Sequence, residues 1–116
     1  MSERRGVPRY IIDSRVELSR PTGESRTTAT ARSISVRGCR IRGEAVPAAG
    51  QKCQLALEWE GREFRCEVEV AWRKKDGDAG LKFLSLDESQ LGFLRGLCAT
   101  LRLEPLAPLP PEPENN

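Results

Sequence analysis

The sequence predicts a mainly β fold: a small antiparallel β-barrel of about six strands, followed by one C-terminal α-helix. Three observations carry this. Apolar and polar residues alternate with period two in short runs separated by turn residues, most clearly in Leu55, Leu57, Trp59 and then Phe64, Cys66, Val68, Val70, Trp72 on either side of Glu60-Gly61. The period changes once, after Leu86, to helical spacing in Leu91, Leu94, Leu97, Cys98 and Leu101. The length of 116 residues suits one domain that buries a single modest core without disulfide or metal staples.

The elements follow in order. Residues 1–9 form a basic arm in which Gly6 and Pro8 disfavour regular structure. Tyr10 to Ser19 alternates, with Val16 and Leu18 on one face and Arg15, Glu17 and Ser19 on the other, and Pro21-Thr22-Gly23 turns the chain. Thr27 to Ser35 is a second strand with Ala29 and Ala31 inward; alternation breaks at Gly38 and resumes over Cys39 to Arg42. Pro47 to Gly50 makes a loop before the long hairpin. Trp59 and Trp72 are in phase with the apolar residues of that hairpin, which assigns both to the core rather than to a stacking surface. Lys74 to Asp78 turns again, and Leu81 and Phe83 flank Lys82 in the last strand. Asp87 is an N-cap with Gln90 three residues on, as in a capping box. Gly92 and Gly96 each weaken the helix by about 1 kcal/mol relative to Ala, so it depends on packing against the sheet. The barrel and helix thus span 10–103, and 104–116, with five prolines from Pro105 on, is expected to be an extended or disordered tail.

Composition excludes several functions. Apolar residues at 38% and charged residues at 31% mark an ordinary globular domain, and a net charge of +2 is too small to argue for nucleic acid. The distribution says more. Five arginines and no acid lie between Arg26 and Arg42, and every basic residue before Lys52 is an arginine, the side chain whose planar fork suits phosphates and guanine edges. An anionic partner recognised by geometry is expected. Histidine is absent, which removes the commonest general base and the His-containing metal sites. Cys39, Cys53, Cys66 and Cys98 contain no C-x-x-C pair, so they are expected to be small buried hydrophobes, with no metal site and no cofactor. The Arg4-Arg5 pair lacks the apolar stretch of an export signal, since Asp13, Arg15 and Glu17 interrupt Tyr10-Ile11-Ile12, and no segment reaches the length of a membrane span. The expected location is the cytoplasm.

Two basic features stand in order along the chain: Arg5-Gly6-Val7-Pro8-Arg9 before the first strand, and Ser33-Ile34-Ser35-Val36-Arg37-Gly38 after the second. With the turn at Gly50, the strand end Val70-Ala71-Trp72, Gly80-Leu81-Lys82-Phe83 and the closing helix, they resemble the PilZ domain family from Arg4 to about Leu101. The family pairs Arg-x-x-x-Arg with Asp or Asn-x-Ser-x-x-Gly and binds the bacterial second messenger cyclic di-GMP. The resemblance implies that Arg5 and Arg9 fold over the ligand's phosphates and guanine edges as the arm orders, that Ser35 hydrogen-bonds it, and that Gly38 permits a bend or close approach. Ser33 departs from the pattern. Its hydroxyl is shorter than the usual carboxylate or amide and cannot accept two bonds from guanine at once. Losing a charge-assisted bond costs about 1.5–3 kcal/mol, or one to two orders of magnitude in affinity. Arg4, Arg32, Arg37 and Arg40 are further candidate ligand contacts.

Plainer readings stand beside these. Arg5 and Arg9 also read as solvated charges on a free arm, Ser33 and Ser35 as strand-end residues bonding local backbone, and Gly38 as a bulge. The leading function is a cyclic di-GMP receptor module that modulates an unnamed protein partner. The alternatives are a degenerate PilZ-like adaptor that binds protein alone and, less favoured, a small nucleic-acid-binding barrel, which few exposed aromatics would serve. An enzyme is not expected, for want of a nucleophile with its base, a metal cluster or a phosphate-cradling glycine loop.

Overall fold

The computed structural model describes residues 7–20 and 26–105. Six strands, β1 (Tyr10–Ser19), β2 (Arg26–Ile34), β3 (Gly38–Arg42), β4 (Lys52–Trp59), β5 (Arg62–Arg73) and β6 (Asp78–Leu84), precede one helix, α1 (Glu88–Ala99). The strands close into a barrel in the order β1-β2-β3-β6-β5-β4, every neighbour antiparallel. The fold class is the one that the alternation predicts.

The most regular part is the β4–β5 hairpin. It pairs without a register shift from Lys52↔Glu69 to Trp59↔Arg62, and Glu60 and Gly61 turn it with both φ positive, 53° and 78°, the geometry of a two-residue hairpin turn. Its inward residues Cys53, Leu55, Leu57, Phe64, Cys66, Val68 and Val70 are all buried. Strands β1, β2, β3 and β6 fill the remaining interior with Val16, Leu18, Ala31, Ile34, Ile41, Leu81 and Phe83. The four cysteines are buried and unpaired. Burial pushes the Cys39 and Cys66 thiols up to about 12, so both behave as small apolar groups.

Helix α1 packs its apolar face on this core. Phe93 stacks on Phe64 at 5.4 Å between ring centroids, Phe83 meets Phe64 edge-on at 5.7 Å, and Leu94 and Leu97 are buried. The capping box forms as the sequence predicts, with Gln90 N donating to Asp87 Oδ1 at 2.7 Å and Asp87 N donating to Gln90 Oε1 at 2.8 Å. Gln90 Nε2 also donates to the Arg65 carbonyl at 2.7 Å, which ties the start of the helix to β5. Among the described residues no helix is long and apolar enough to cross a membrane.

Alternation fails at three places: between Ile11 and Ser14 on β1, between Ala31 and Ser33 on β2, and between Val70 and Trp72 on β5. The third overturns a sequence expectation. Val70 pairs with Leu81 and Trp72 with the next residue back, Gly80, so Ala71 is an extra residue that reverses the phase of the strand end. Trp72 therefore lies outside the core, 40% exposed, whereas Trp59, upstream of any shift, is partly buried against the core as its phase predicts.

Candidate functional site

The register shifts shape one flank of the barrel. On β2, Arg32 is the extra residue between Ala31↔Ile41 and Ser33↔Arg40. Arg32 projects into solvent, while Ser33, Ile34 and Ser35 are all buried, at 1–2% exposure. The chain then reverses within four residues. Ser35 N donates to the Gly38 carbonyl at 2.8 Å, Arg37 N donates to Ser35 Oγ at 3.0 Å, and Ser35 Oγ faces the Gly38 carbonyl at 3.4 Å. The turn is pinned to β6 by Phe83 N donating to the Arg37 carbonyl at 2.9 Å. A Cβ at Gly38 would overlap the Leu81 carbonyl oxygen, so only glycine lets β3 pair with β6 at this point. Gly38 thus permits a close approach, and the neighbour it admits is strand β6.

Beside this turn lies an open pocket of about 740 Å³, within the range of small-molecule sites. Its lining carries four cations, Arg9, Arg37, Arg40 and Lys82, and, among the described residues, no carboxylate. Arg40 Nε lies 3.5 Å from Asp78 Oδ1, and its Nε makes no well-directed hydrogen bond. Trp72 also lines the pocket. Its indole lies against Gly80, where a Cβ would overlap the ring nitrogen, and the Lys74 ammonium stands 5.8 Å from the ring centroid.

Arg9 enters from the start of β1. Its Nη2 donates to Ser33 Oγ at 3.1 Å, and its Nε is 3.7 Å from Glu104 Oε1. The structure therefore brings together Arg9, Ser33, Ser35, Gly38, Arg37 and Arg40, and leaves Arg32 on the outside of the bulge, away from the pocket lining. Arg4 and Arg5 lie outside the described residues. Neither serine hydroxyl faces the pocket freely, since Ser33 Oγ is covered by Arg9 and Ser35 Oγ is bonded within its turn. The sequence reading missed three residues. Trp72 was hidden by the extra residue at Ala71. Lys82 was legible as the outward residue between Leu81 and Phe83. Glu104, assigned to the tail, instead hydrogen-bonds the Arg9 backbone and forms an ion pair with its side chain.

The arrangement can hold an anion against a guanidinium cluster while an aromatic face supports a flat ring. Guanine presents O6 and N7 as paired acceptors to an arginine fork, and any base can stack on an indole.

The likeness to known proteins agrees with the barrel. No curated protein sequence matches the chain. Among solved structures, the PilZ domain of YcgR from Escherichia coli, determined with cyclic di-GMP, superposes with a TM-score of 0.71 at 15% identity, covering 85% of this chain and 92% of that one. The PilZ domain of CeSA from a cellulose-synthesizing bacterium gives 0.65 at 15% identity over 78% of this chain and 94% of the other. The Bacillus subtilis inhibitor of motility, MotI/DgrA, gives 0.68 at 16% identity over 84% of this chain and 50% of its own length. At these identities the superpositions speak for the barrel alone, and the sequence profile of the PilZ domain matches residues 3–100, nearly the whole of it. With the six-stranded barrel, the closing helix and the Ser35–Gly38 turn all in place, this chain belongs to the PilZ domain family.

Proposed function

We propose that this PilZ domain is a receptor for cyclic di-GMP, and that it senses the nucleotide without transforming it. The observation that carries the reading is the pocket lining: four cations and, among the described residues, no carboxylate, together with an exposed indole. A doubly charged dinucleotide with two guanines matches both halves. Arg9 takes a phosphate, Arg37 and Arg40 offer their forks to phosphate or to guanine O6 and N7, and a base stacks on Trp72. Arg5, four residues before Arg9, closes over the ligand as the arm orders, and the reshaped surface acts on a protein partner in the cytoplasm. The YcgR domain solved with cyclic di-GMP supports the same ligand class for this barrel.

Ser33 acts in this reading as a positioning residue. Its buried hydroxyl accepts from Arg9 and leaves guanine N1 and N2 without the acceptor that the family's Asp or Asn supplies. The same observation favours the competing reading, an adaptor whose nucleotide site has lapsed. Calorimetric titration of cyclic di-GMP at moderate salt, with GTP and cyclic di-AMP as controls, separates the two. Selective, saturable heat that is lost in Arg9→Ala supports the receptor. No heat at high ligand concentration sinks it in favour of the adaptor, and salt-sensitive binding of oligonucleotides instead would point to a nucleic-acid module.

A further inference from the structure

The chain beyond α1 returns to the barrel. Leu103 bridges Tyr10 in antiparallel register, Ile11 N donates to the Arg102 carbonyl at 2.8 Å, and Glu104 N donates to the Arg9 carbonyl at 2.8 Å. This short segment covers the part of β1 that β4 leaves free, since the β1–β4 pairing runs only from Val16 to Ser19. The residue that supplies the last of these bonds also reaches the site: Glu104 Oε1 lies 3.7 Å from Arg9 Nε, while Arg9 Nη2 is bonded to Ser33 Oγ at 3.1 Å. On this edge of the guanidinium Nη2 is hydrogen-bonded to Ser33, and Nε is held in the looser ion pair with Glu104. Arg9 lines the pocket and Glu104 does not, so the carboxylate draws on the guanidinium from outside the cavity.

Resting on the receptor reading above, we propose that Glu104 is a competitor built into the chain. It occupies the Arg9 edge that a phosphate would take, so that nucleotide binding exchanges one anion for another and releases the 102–104 segment from β1. A phosphate oxygen pair meets an arginine edge with two parallel bonds, and Arg9 cannot give the same edge to both partners. Linkage makes the effect reciprocal: whatever the clasp costs the ligand, the ligand costs the clasp. The Arg9 and Glu104 side chains are 45% and 31% exposed, an ion pair in contact with water. Its removal is expected to tighten binding by about two- to fivefold, a factor in the range of exposed pairs.

The test uses the full chain and its Glu104→Gln variant, with two readouts. Calorimetry should show tighter cyclic di-GMP binding by Glu104→Gln. Hydrogen exchange followed by NMR should show the Ile11 and Glu104 amides, both bonded across the clasp, exchanging faster in wild type once ligand is added. That second readout is one that a mere loss of negative charge near the site would not move. Equal affinity overturns the proposal, weaker affinity does so by making the carboxylate a ligand contact, and added protection of the two amides does so by showing the segment held in the complex. If neither chain binds the nucleotide, the receptor reading fails by itself. The clasp then survives only if Glu104→Gln still speeds exchange of these two amides in the ligand-free protein, and it falls if their rates are unchanged.

Discussion

The β4–β5 hairpin and the flank formed by the β2–β3 turn, β6 and the end of β5 belong to one barrel but follow opposite rules. In the hairpin eight residue pairs run without a shift and every inward side chain is buried, save Trp59 at the turn, which is partly buried. In the flank, extra residues at Arg32 and Ala71 break the phase, two serines are buried in sequence with apolar neighbours, and a tryptophan is turned outward. Regular pleating can place side chains only inside or outside. A bulge re-aims them along the wall, and here Trp72 and the Ser35–Gly38 turn line one pocket. The hairpin holds the fold, and the irregular flank holds the proposed site.

Substitutions should separate the two. Leu57, 1% exposed in the middle of the hairpin, is expected to cost about 2–5 kcal/mol of stability as Leu57→Ala, through lost burial and the cavity left behind. Denaturant unfolding would measure this, and the folded fraction should keep wild-type affinity for cyclic di-GMP. Gly38→Ala should act on both properties. The new methyl meets the Leu81 carbonyl, so β3 and β6 must part, at a cost of about 1–3 kcal/mol. The Ser35 turn moves with them, so calorimetry should show a loss of affinity even where the protein remains folded. Retention of full affinity in Gly38→Ala would mean that the turn does not shape the ligand site.

How far the sequence was legible follows the same division. Leu55 through Val70 could be placed residue by residue, because one face in the core and one in water leaves a period-two record. Asp87 and Gln90 were equally plain, because capping is a local contact between residues three apart. Arg9, Ser33, Ser35 and Gly38 were found through their resemblance to a family motif; periodicity marked only the break at Gly38. Their partners were not legible. That Ser33 Oγ accepts from Arg9, 24 residues away, is set by the closing of β1 on β2. Trp72 was misplaced because a bulge inserts one residue without leaving a mark in the apolar pattern. Glu104 was grouped with the prolines that follow it, although its backbone completes the β1 edge.

Trp72 gives a finer contrast. Trp59 and Trp72 carry the same indole at the two ends of the hairpin, one partly buried against the core and one 40% exposed at the pocket. Trp72→Ala is expected to weaken cyclic di-GMP binding by about 1–3 kcal/mol, the contribution of one base stacked on an aromatic ring, and to leave the thermal midpoint nearly unchanged. Ligand should also perturb the tryptophan fluorescence of wild type, and that change should vanish in Trp72→Ala. If it persists, the ligand acts on Trp59 and the stacking surface has been misassigned.

The smallest expected effect is a sameness between the two regions. Cys66 lies inside the hairpin and Cys39, buried, among the residues that line the pocket, and burial lifts both thiols from the ordinary 9 to about 12. Because the thiolate is the reactive form, neither should react with Ellman's reagent at pH 8 in the native protein, whereas all four cysteines should react once the chain is unfolded in guanidinium. Reaction at Cys39 alone would show that the flank opens to its core and the hairpin does not. The same shifts give the pH dependence its sign. Below about 9 the thiols are protonated in both states and their contribution is present in full; between 9 and 12 the unfolded chain releases protons that the native state retains, so stability falls as pH rises toward 12. The thermal midpoint should therefore decline on the alkaline side, and less steeply in a Cys39→Ala, Cys66→Ala double variant than in wild type. An equal slope in the two chains would mean that these thiols do not stay protonated in the folded barrel.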